Sequence, residues 1–156
     1  MAAVALELAL ASVLLAVTVT DLDRRVIPNA ILLAGAVVGI AIVAPTDPDS
    51  MPERAAAAAG AGGFLLLGAV SRREGMGMGD VKLAALMGLY LGRAVAPALA
   101  VAFAAGSLAG LGLMLRHGAQ ARTWTVPFGP FLATGGIVGL FAGAELFDWY
   151  ADTFIA

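Results

Sequence analysis

The chain has 156 residues, of which 61% are apolar and only 13% are charged. Soluble domains are about 45–50% apolar and about 25% charged. The composition therefore excludes both a small water-soluble enzyme and a disordered segment. With no cysteine and a single histidine, His117, the chain has no disulfide framework, thiolate zinc site or cysteine nucleophile. A net charge of −2 gives no reason to expect nucleic acid as a partner, and we expect neither a metal nor a cofactor.

Runs without charge divide the chain into apolar segments. The first holds one charge, Glu7, between residues 2 and 20. Four later runs hold none, and they contain 21, 17, 22 and 22 residues: 26–46, 55–71, 94–115 and 123–144. One helical crossing of a bilayer takes about 17–25 apolar residues, and a backbone in lipid must satisfy its own hydrogen bonds. Each run is therefore predicted to be a transmembrane helix.

The stretch 80–115 has 36 residues, too many for one crossing and slightly few for two. Glycine and proline at Gly92 and Pro97 favour a break between them. This predicts a short fourth helix over about 81–95 and a fifth from about Pro97. The alternative is one long tilted helix, which would give five spans.

The positive residues favour the six-span arrangement. It leaves only Arg54 and Arg93 on one face, and seven of the nine cations on the other. These seven are Arg24, Arg25, Arg72, Arg73, Lys82, Arg116 and Arg122. By the positive-inside rule the face with seven is cytoplasmic. We predict an all-α, multi-pass protein of the plasma membrane with about six transmembrane helices, both termini outside, and one domain, 1–156.

Two carboxylates are predicted to meet at the cytoplasmic face. Asp21 ends the first helix, which runs inward, and Asp80 begins the fourth helix, which runs outward. Two neighbouring carboxyl groups share one proton, so one can activate a water while the other donates a proton. This pair would suit a hydrolase without a metal or a nucleophilic side chain. The alternative is that residues 21–25 form an ordinary charged loop.

The loop before Asp80 is rich in glycine, with glycines at 75, 77 and 79. It lacks the spacing of a dinucleotide fingerprint or a phosphate loop. Its glycines either let an extended substrate lie beside the backbone and Asp80 approach Asp21, or form a flexible hinge. Lys82 is interpreted mainly as an anchor to the lipid headgroups.

A third segment, residues 126–131, opens the last helix with two prolines and a glycine. Such a sequence keeps the chain non-helical at the membrane entry, which is tolerated only where protein or water surrounds it. By itself the segment is also consistent with a simple helix start.

Three segments together resemble the prepilin and preflagellin peptidases, which are membrane aspartic proteases of bacteria and archaea. They are DLDRRVIPN (21–29), GMGMGDVKLAALMGLYLG (75–92) and PFGPFLA (127–133). The short pattern GxGD is shared with presenilin and signal peptide peptidase. The long second segment and the aspartate seven residues before Pro28 make the resemblance specific. It covers nearly the whole chain, with the motifs in the family's order.

The resemblance implies cleavage of short basic leader peptides from type IV pilin-like or preflagellin-like precursors, at the cytoplasmic membrane edge. The family's catalytic aspartates map onto Asp21 and Asp80, with Asp23 as the rival for the first position. Because the family's leaders are basic, we expect Asp23 and Glu74 to bind the leader, alongside the glycines at 75, 77 and 79. The larger members carry a methylating domain with a cysteine site, so we expect this chain to resemble the short, purely proteolytic members.

Two other interpretations remain open at this point. The chain could be a non-catalytic membrane assembly or transport subunit whose aspartates carry protons or pair with arginines. A transporter more typically places its charges near the membrane midplane, whereas these aspartates lie at helix ends. A family member that binds pilins without cutting them is also conceivable, although both aspartates are present.

Overall fold

Six α-helices make up the described part of the chain. A computed structural model describes residues 1–71, 77–118 and 127–154. The helices are α1 (Ala2–Arg24), α2 (Asn29–Thr46), α3 (Met51–Ser71), α4 (Met78–Leu91), α5 (Val95–His117) and α6 (Gly129–Phe154). Short 3-10 turns at Pro48–Ser50 and Gly92–Ala94 join α2 to α3 and α4 to α5. The predicted all-α, multi-pass fold is confirmed.

Five helical stretches are long and apolar enough to cross a membrane, and the fourth, Met78–His117, is 40 residues long. This stretch is a hairpin rather than one helix. In α4, Met87 and Leu91 lie beside α6 residues Gly136 and Gly139, in the same order along both helices. In α5 the order is reversed, because Ala102 lies beside Gly135 and Ala98 beside Gly139. The chain therefore reverses between α4 and α5, so the fourth stretch consists of two antiparallel helices.

The α4–α5 reversal is fixed by the start of α3. Gly92 has a φ of 56°, a conformation that favours glycine, and a Cβ atom there would lie 2.9 Å from a Glu53 carboxylate oxygen. That carboxylate accepts the Arg93 backbone N–H at 3.1 Å. The Arg54 guanidinium donates to the carbonyls of Leu89 and Tyr90, at 3.2 and 2.5 Å, and so caps the end of α4.

The sequence-based boundaries were wrong in two places. The fourth helix ends at Leu91 and the fifth begins at Val95, so the reversal takes three residues and precedes Pro97. Residues 45–52 contain three prolines, which is typical of a turn-rich loop, but they are largely helical: α2 continues through Pro45, and α3 includes Pro52 in its first turn. Proline is tolerated in a first turn because the N–H groups there have no helical partner.

Helix α4 is the centre of the bundle. Eight of its 14 residues are buried, among them Leu83, Ala84 and Met87. Close approach depends on small residues: Gly88 abuts the backbone of Ala57 and Ala58 in α3, where no Cβ would fit. The exposed large apolar side chains lie mainly on the surrounding helices, as expected for surfaces that face lipid. The most buried helix thus carries Asp80 at its first turn.

Candidate active site

Asp21 lies in the last turn of α1, and its side chain is only 6% exposed. The helix ends three residues later at Arg24, and the following residue, Arg25, takes a left-handed conformation (φ 52°) and donates its N–H to the Asp21 carbonyl at 2.9 Å. The carboxylate oxygen Oδ2 of Asp21 accepts the backbone N–H of Gly129 at 3.0 Å, in a buried contact across 108 residues of sequence. The end of α1 is thereby joined to the start of α6.

Asp80 occupies the third position of α4, with 9% of its surface exposed. Gly77 caps this helix, and its carbonyl accepts the Asp80 backbone N–H at 3.1 Å. The Asp80 side chain turns back towards this residue, since a Cβ atom at Gly77 would lie 3.6 Å from Asp80 Oδ2. A side chain at the third helical position that reaches back to the capping residue is half of a capping box. The local sequence therefore orients the carboxyl group.

The two aspartates lie at the same end of the bundle and within electrostatic range of each other. They are the only buried charged residues of the described ranges. Asp21 accepts the backbone N–H of Gly129 at the start of α6, and the Asp80 carboxyl group lies close to Gly77 at the start of α4. A buried charge requires such compensation. Two carboxylates that lie near each other repel, so double ionisation of such a pair is disfavoured.

The other sequence-predicted residues lie around this pair. Asp23, the rival of Asp21, is exposed at the surface. Gly77 and Gly79 lie at the start of α4, while Glu74 and Gly75 fall outside the described residues. Lys82 was interpreted as a headgroup anchor, and its amino group donates to the Asn29 side chain of α2 at 2.8 Å.

Gly129 was missed as a site residue by the sequence analysis. The segment 126–131 was noted for its prolines and glycine, but its contact with Asp21 could not be inferred from sequence spacing. Its position in the third motif of the family resemblance was the available signal. The structure starts α6 at Gly129, so Pro130 and Phe131 belong to the helix rather than to a non-helical entry.

In the part of the chain that the structure describes, no three His, Asp or Glu side chains lie together as metal ligands would. The ionisable groups that the described residues contribute to the site are the carboxyl groups of Asp21 and Asp80. Paired carboxyl groups in a secluded pocket can act as general base and general acid on a water and an amide.

Comparison of the sequence with known proteins places the chain in a family. The sequence profile of the type IV leader peptidase family matches residues 8–115. The chain belongs to that family. Similar curated proteins include the prepilin leader peptidase/N-methyltransferases of Aeromonas salmonicida strain A449, Aeromonas hydrophila and Bacillus subtilis strain 168, at 31%, 32% and 32% identity.

These alignments cover most of this chain but about half of each relative. They span 92%, 92% and 89% of this chain, and 51%, 51% and 56% of the relatives. The chain therefore spans about half the length of the curated relatives it matches. No solved structure matches it. The resemblance that the three motifs indicated is confirmed at the level of the family.

Proposed function

We propose that this protein is an aspartic endopeptidase that removes the leader peptide from type IV pilin-like or preflagellin-like precursors. One observation carries the proposal: α1 and α4 bring two buried aspartates, Asp21 and Asp80, to the same end of a membrane bundle. Buried carboxyl groups are costly in a membrane protein and indicate function. Membership of the type IV leader peptidase family supplies the substrate class.

In the proposed reaction the aspartate pair starts with one proton between its two members. The ionised carboxylate takes a proton from a water as the water oxygen attacks the carbonyl carbon of the scissile peptide bond. The protonated carboxyl donates its proton to the carbonyl oxygen, and the resulting gem-diol collapses as the C–N bond breaks. One hydroxyl group of the gem-diol gives its proton to the ionised carboxylate. The other carboxyl group gives the proton that it took from the water to the leaving nitrogen. One water is consumed, and the pair ends with one proton as it began.

We infer that the aspartate end faces the cytoplasm. Seven of the nine cationic residues belong to segments at this end under the six-segment topology, and the positive-inside rule favours that orientation. Arg54 and Arg93 belong to the opposite end. A cytoplasmic site fits a substrate whose leader remains in the cytoplasm while its apolar segment enters the bilayer.

Substrate binding is assigned to acids and glycines around the pair. Asp23 is exposed beside the end of α1, where it is free to meet a basic leader. Glu74 and Gly75 precede α4 in the chain, and Gly77 and Gly79 form its start. The glycines would let an extended scissile segment approach the aspartates, because a backbone without side chains allows close contact.

The test is cleavage of a purified pilin-like precursor by detergent-solubilised protein and its aspartate variants. Asp21→Asn and Asp80→Asn should each abolish cleavage while the protein still accumulates in the membrane, because asparagine keeps the shape but cannot hold the shared proton. Asp23→Asn is the matched control and should cut at a rate near wild type when substrate is saturating. An active Asp21→Asn protein would overturn the assignment. If the wild type binds the precursor without shortening it, the non-catalytic assembly role replaces the peptidase.

A further inference from the structure

The first N–H of α6 has a function beyond starting the helix. The carbonyl of Phe128 accepts the backbone N–H groups of Phe131 and Leu132, at 3.0 and 3.1 Å, so the helix begins directly after Phe128. The N–H of Gly129 belongs to the first turn, where N–H groups have no partner within the helix. It points instead to Asp21 Oδ2, in a buried hydrogen bond of 3.0 Å.

Only glycine fits at this contact. A Cβ atom at position 129 would lie 3.0 Å from Cγ and 3.2 Å from Cβ of Asp21, and closer still to Oδ2. These atoms belong to a short, buried side chain, which has little freedom to move away. An alanine at 129 would therefore displace the Asp21 carboxylate, the α6 start, or both.

Aromatic packing fixes the start of α6 on its other side. The Phe128 ring lies 5.4 Å from the Phe103 ring of α5, and Phe103 makes an edge contact with Phe64 of α3 at 5.9 Å. A Cβ atom at Gly106 would lie 3.2 Å from the Phe128 ring, which shows how closely this ring seats on α5. Because the rings hold the helix start in place, the Gly129 N–H keeps a fixed position.

We propose that Gly129 is a positioning residue of the aspartate pair. It holds Oδ2 of Asp21 with its N–H and, by lacking a side chain, leaves the carboxylate room to turn its other oxygen, Oδ1, towards Asp80 and the attacking water. This inference rests on the proposed peptidase function. It makes α6 a functional part of the site, although α6 contributes no titratable group to the pair.

The experiment compares two glycine-to-alanine variants in the same helix. Gly129→Ala adds a methyl group against Asp21. Gly136→Ala is the matched control: its methyl group would lie 2.7 Å from a Leu14 methyl and 3.3 Å from Met87, side-chain ends that can shift. Both substitutions raise helix propensity. The kcat and KM for a pilin-like precursor, and the thermal midpoint, are measured for each purified protein.

Gly129→Ala should lower kcat on the order of 100-fold, the effect of a misplacement of about 1 Å at a reacting group, with KM close to wild type. Gly136→Ala should keep kcat within a few-fold, even if its thermal midpoint falls more. A raised KM with unchanged kcat would overturn the proposal, as it would place Gly129 against the substrate instead. Equal kcat losses in both variants would also overturn it, because general displacement of α6 would explain them.

Two further measurements keep the proposal testable. Asp21→Asn is assayed beside these variants: if it is inactive while Gly129→Ala has wild-type kcat, the positioning role fails and the peptidase function stands. If Asp21→Asn is active, the proposed function itself fails.

Should Gly129→Ala not accumulate, Phe128→Leu tests the same positioning of the α6 start, since it weakens the contact with Phe103. It should lower kcat several-fold at unchanged KM, and an unchanged kcat would count against the proposal.

Discussion

The side chain of Ile27 lies directly on the backbone of Gly79, the residue before Asp80. A Cβ atom at position 79 would be 2.8 Å from the Ile27 Cβ and 3.3 Å from two further atoms of that side chain. Ile27 is itself buried, in the connection between α1 and α2. The contact brings the end of α1, which carries Asp21, against the start of α4.

Gly79→Ala should therefore lower activity strongly by separating the two aspartates. Gly77→Ala is the matched comparison in the same motif, because a Cβ at 77 would meet Asp80 Oδ2 at 3.6 Å, an ordinary contact, and φ there is −73°. In a precursor-cleavage assay, Gly79→Ala should reduce kcat, while Gly77→Ala should leave kcat nearly unchanged. A raised KM for Gly77→Ala would support its proposed place beside the substrate. Equal kcat for Gly79→Ala and wild type would refute the packing argument.

Part of the fold and of the site could be predicted from the sequence, because charge and hydropathy indicate the direction in which each apolar segment crosses the membrane. Once α1 runs inward and α4 outward, Asp21 and Asp80 must lie at one end of the bundle. The contact of Gly129 with Asp21 was not predictable in this way, because it joins positions 108 residues apart through a backbone N–H. A backbone donor leaves no side-chain signature in the sequence.

The exact α4–α5 reversal was unpredictable for a similar reason. Proline and glycine indicated a break near it, but the turn is set by Glu53 and Arg54 from α3. From the sequence alone, those two residues are indistinguishable from ordinary charged residues of an outer loop. Their partners are backbone groups of residues 89–93, so only the three-dimensional packing shows the function of either charge.

Arg54→Met should destabilise the protein without changing the aspartate pair. It removes the donor to two α4 carbonyls while keeping an apolar stem of similar length, and hydrogen bonds to charged groups contribute about 1.5–3 kcal/mol. The thermal midpoint in detergent should fall, with kcat unchanged below it. Arg116→Met is the control, because Arg116 is exposed at the other end of the bundle and should give a midpoint near wild type. Equal midpoints for both variants would argue against the capping role of Arg54.

Membrane sidedness can be tested without an activity assay, because the chain has no cysteine. Asp49→Cys places a thiol on the exposed turn between α2 and α3, at the end opposite the aspartates. Ala119→Cys places one in the connection between α5 and α6. A membrane-impermeant reagent should label position 49 in intact cells and position 119 only after the membrane is opened. The reverse pattern would place the aspartates outside, and labelling of both positions from outside would contradict the α4–α5 reversal.

The last prediction concerns how a basic leader is recognised. The arginines near the aspartate end would repel such a leader and instead anchor the protein to anionic headgroups, at about 1 kcal/mol each. We propose Asp23 and Glu74 as the acids that attract it. Replacing them with Asn and Gln should raise KM at low salt, and added salt should narrow the difference from wild type because exposed charges are screened.

The kcat of the Asp23→Asn/Glu74→Gln protein should stay near wild type, since neither acid takes part in the chemistry. Kinetics at low and high salt, with subsaturating and saturating precursor, separate the effect on KM from the effect on kcat. A neutral-leader precursor is the control, and its KM should respond little to either the substitutions or the salt. If the double variant cuts the basic precursor at the wild-type rate at low salt and subsaturating substrate, the leader's charge is not recognised by these acids. Recognition would then rest on the apolar helix of the precursor, with Gly75 and Gly77 admitting the scissile segment to Asp21 and Asp80.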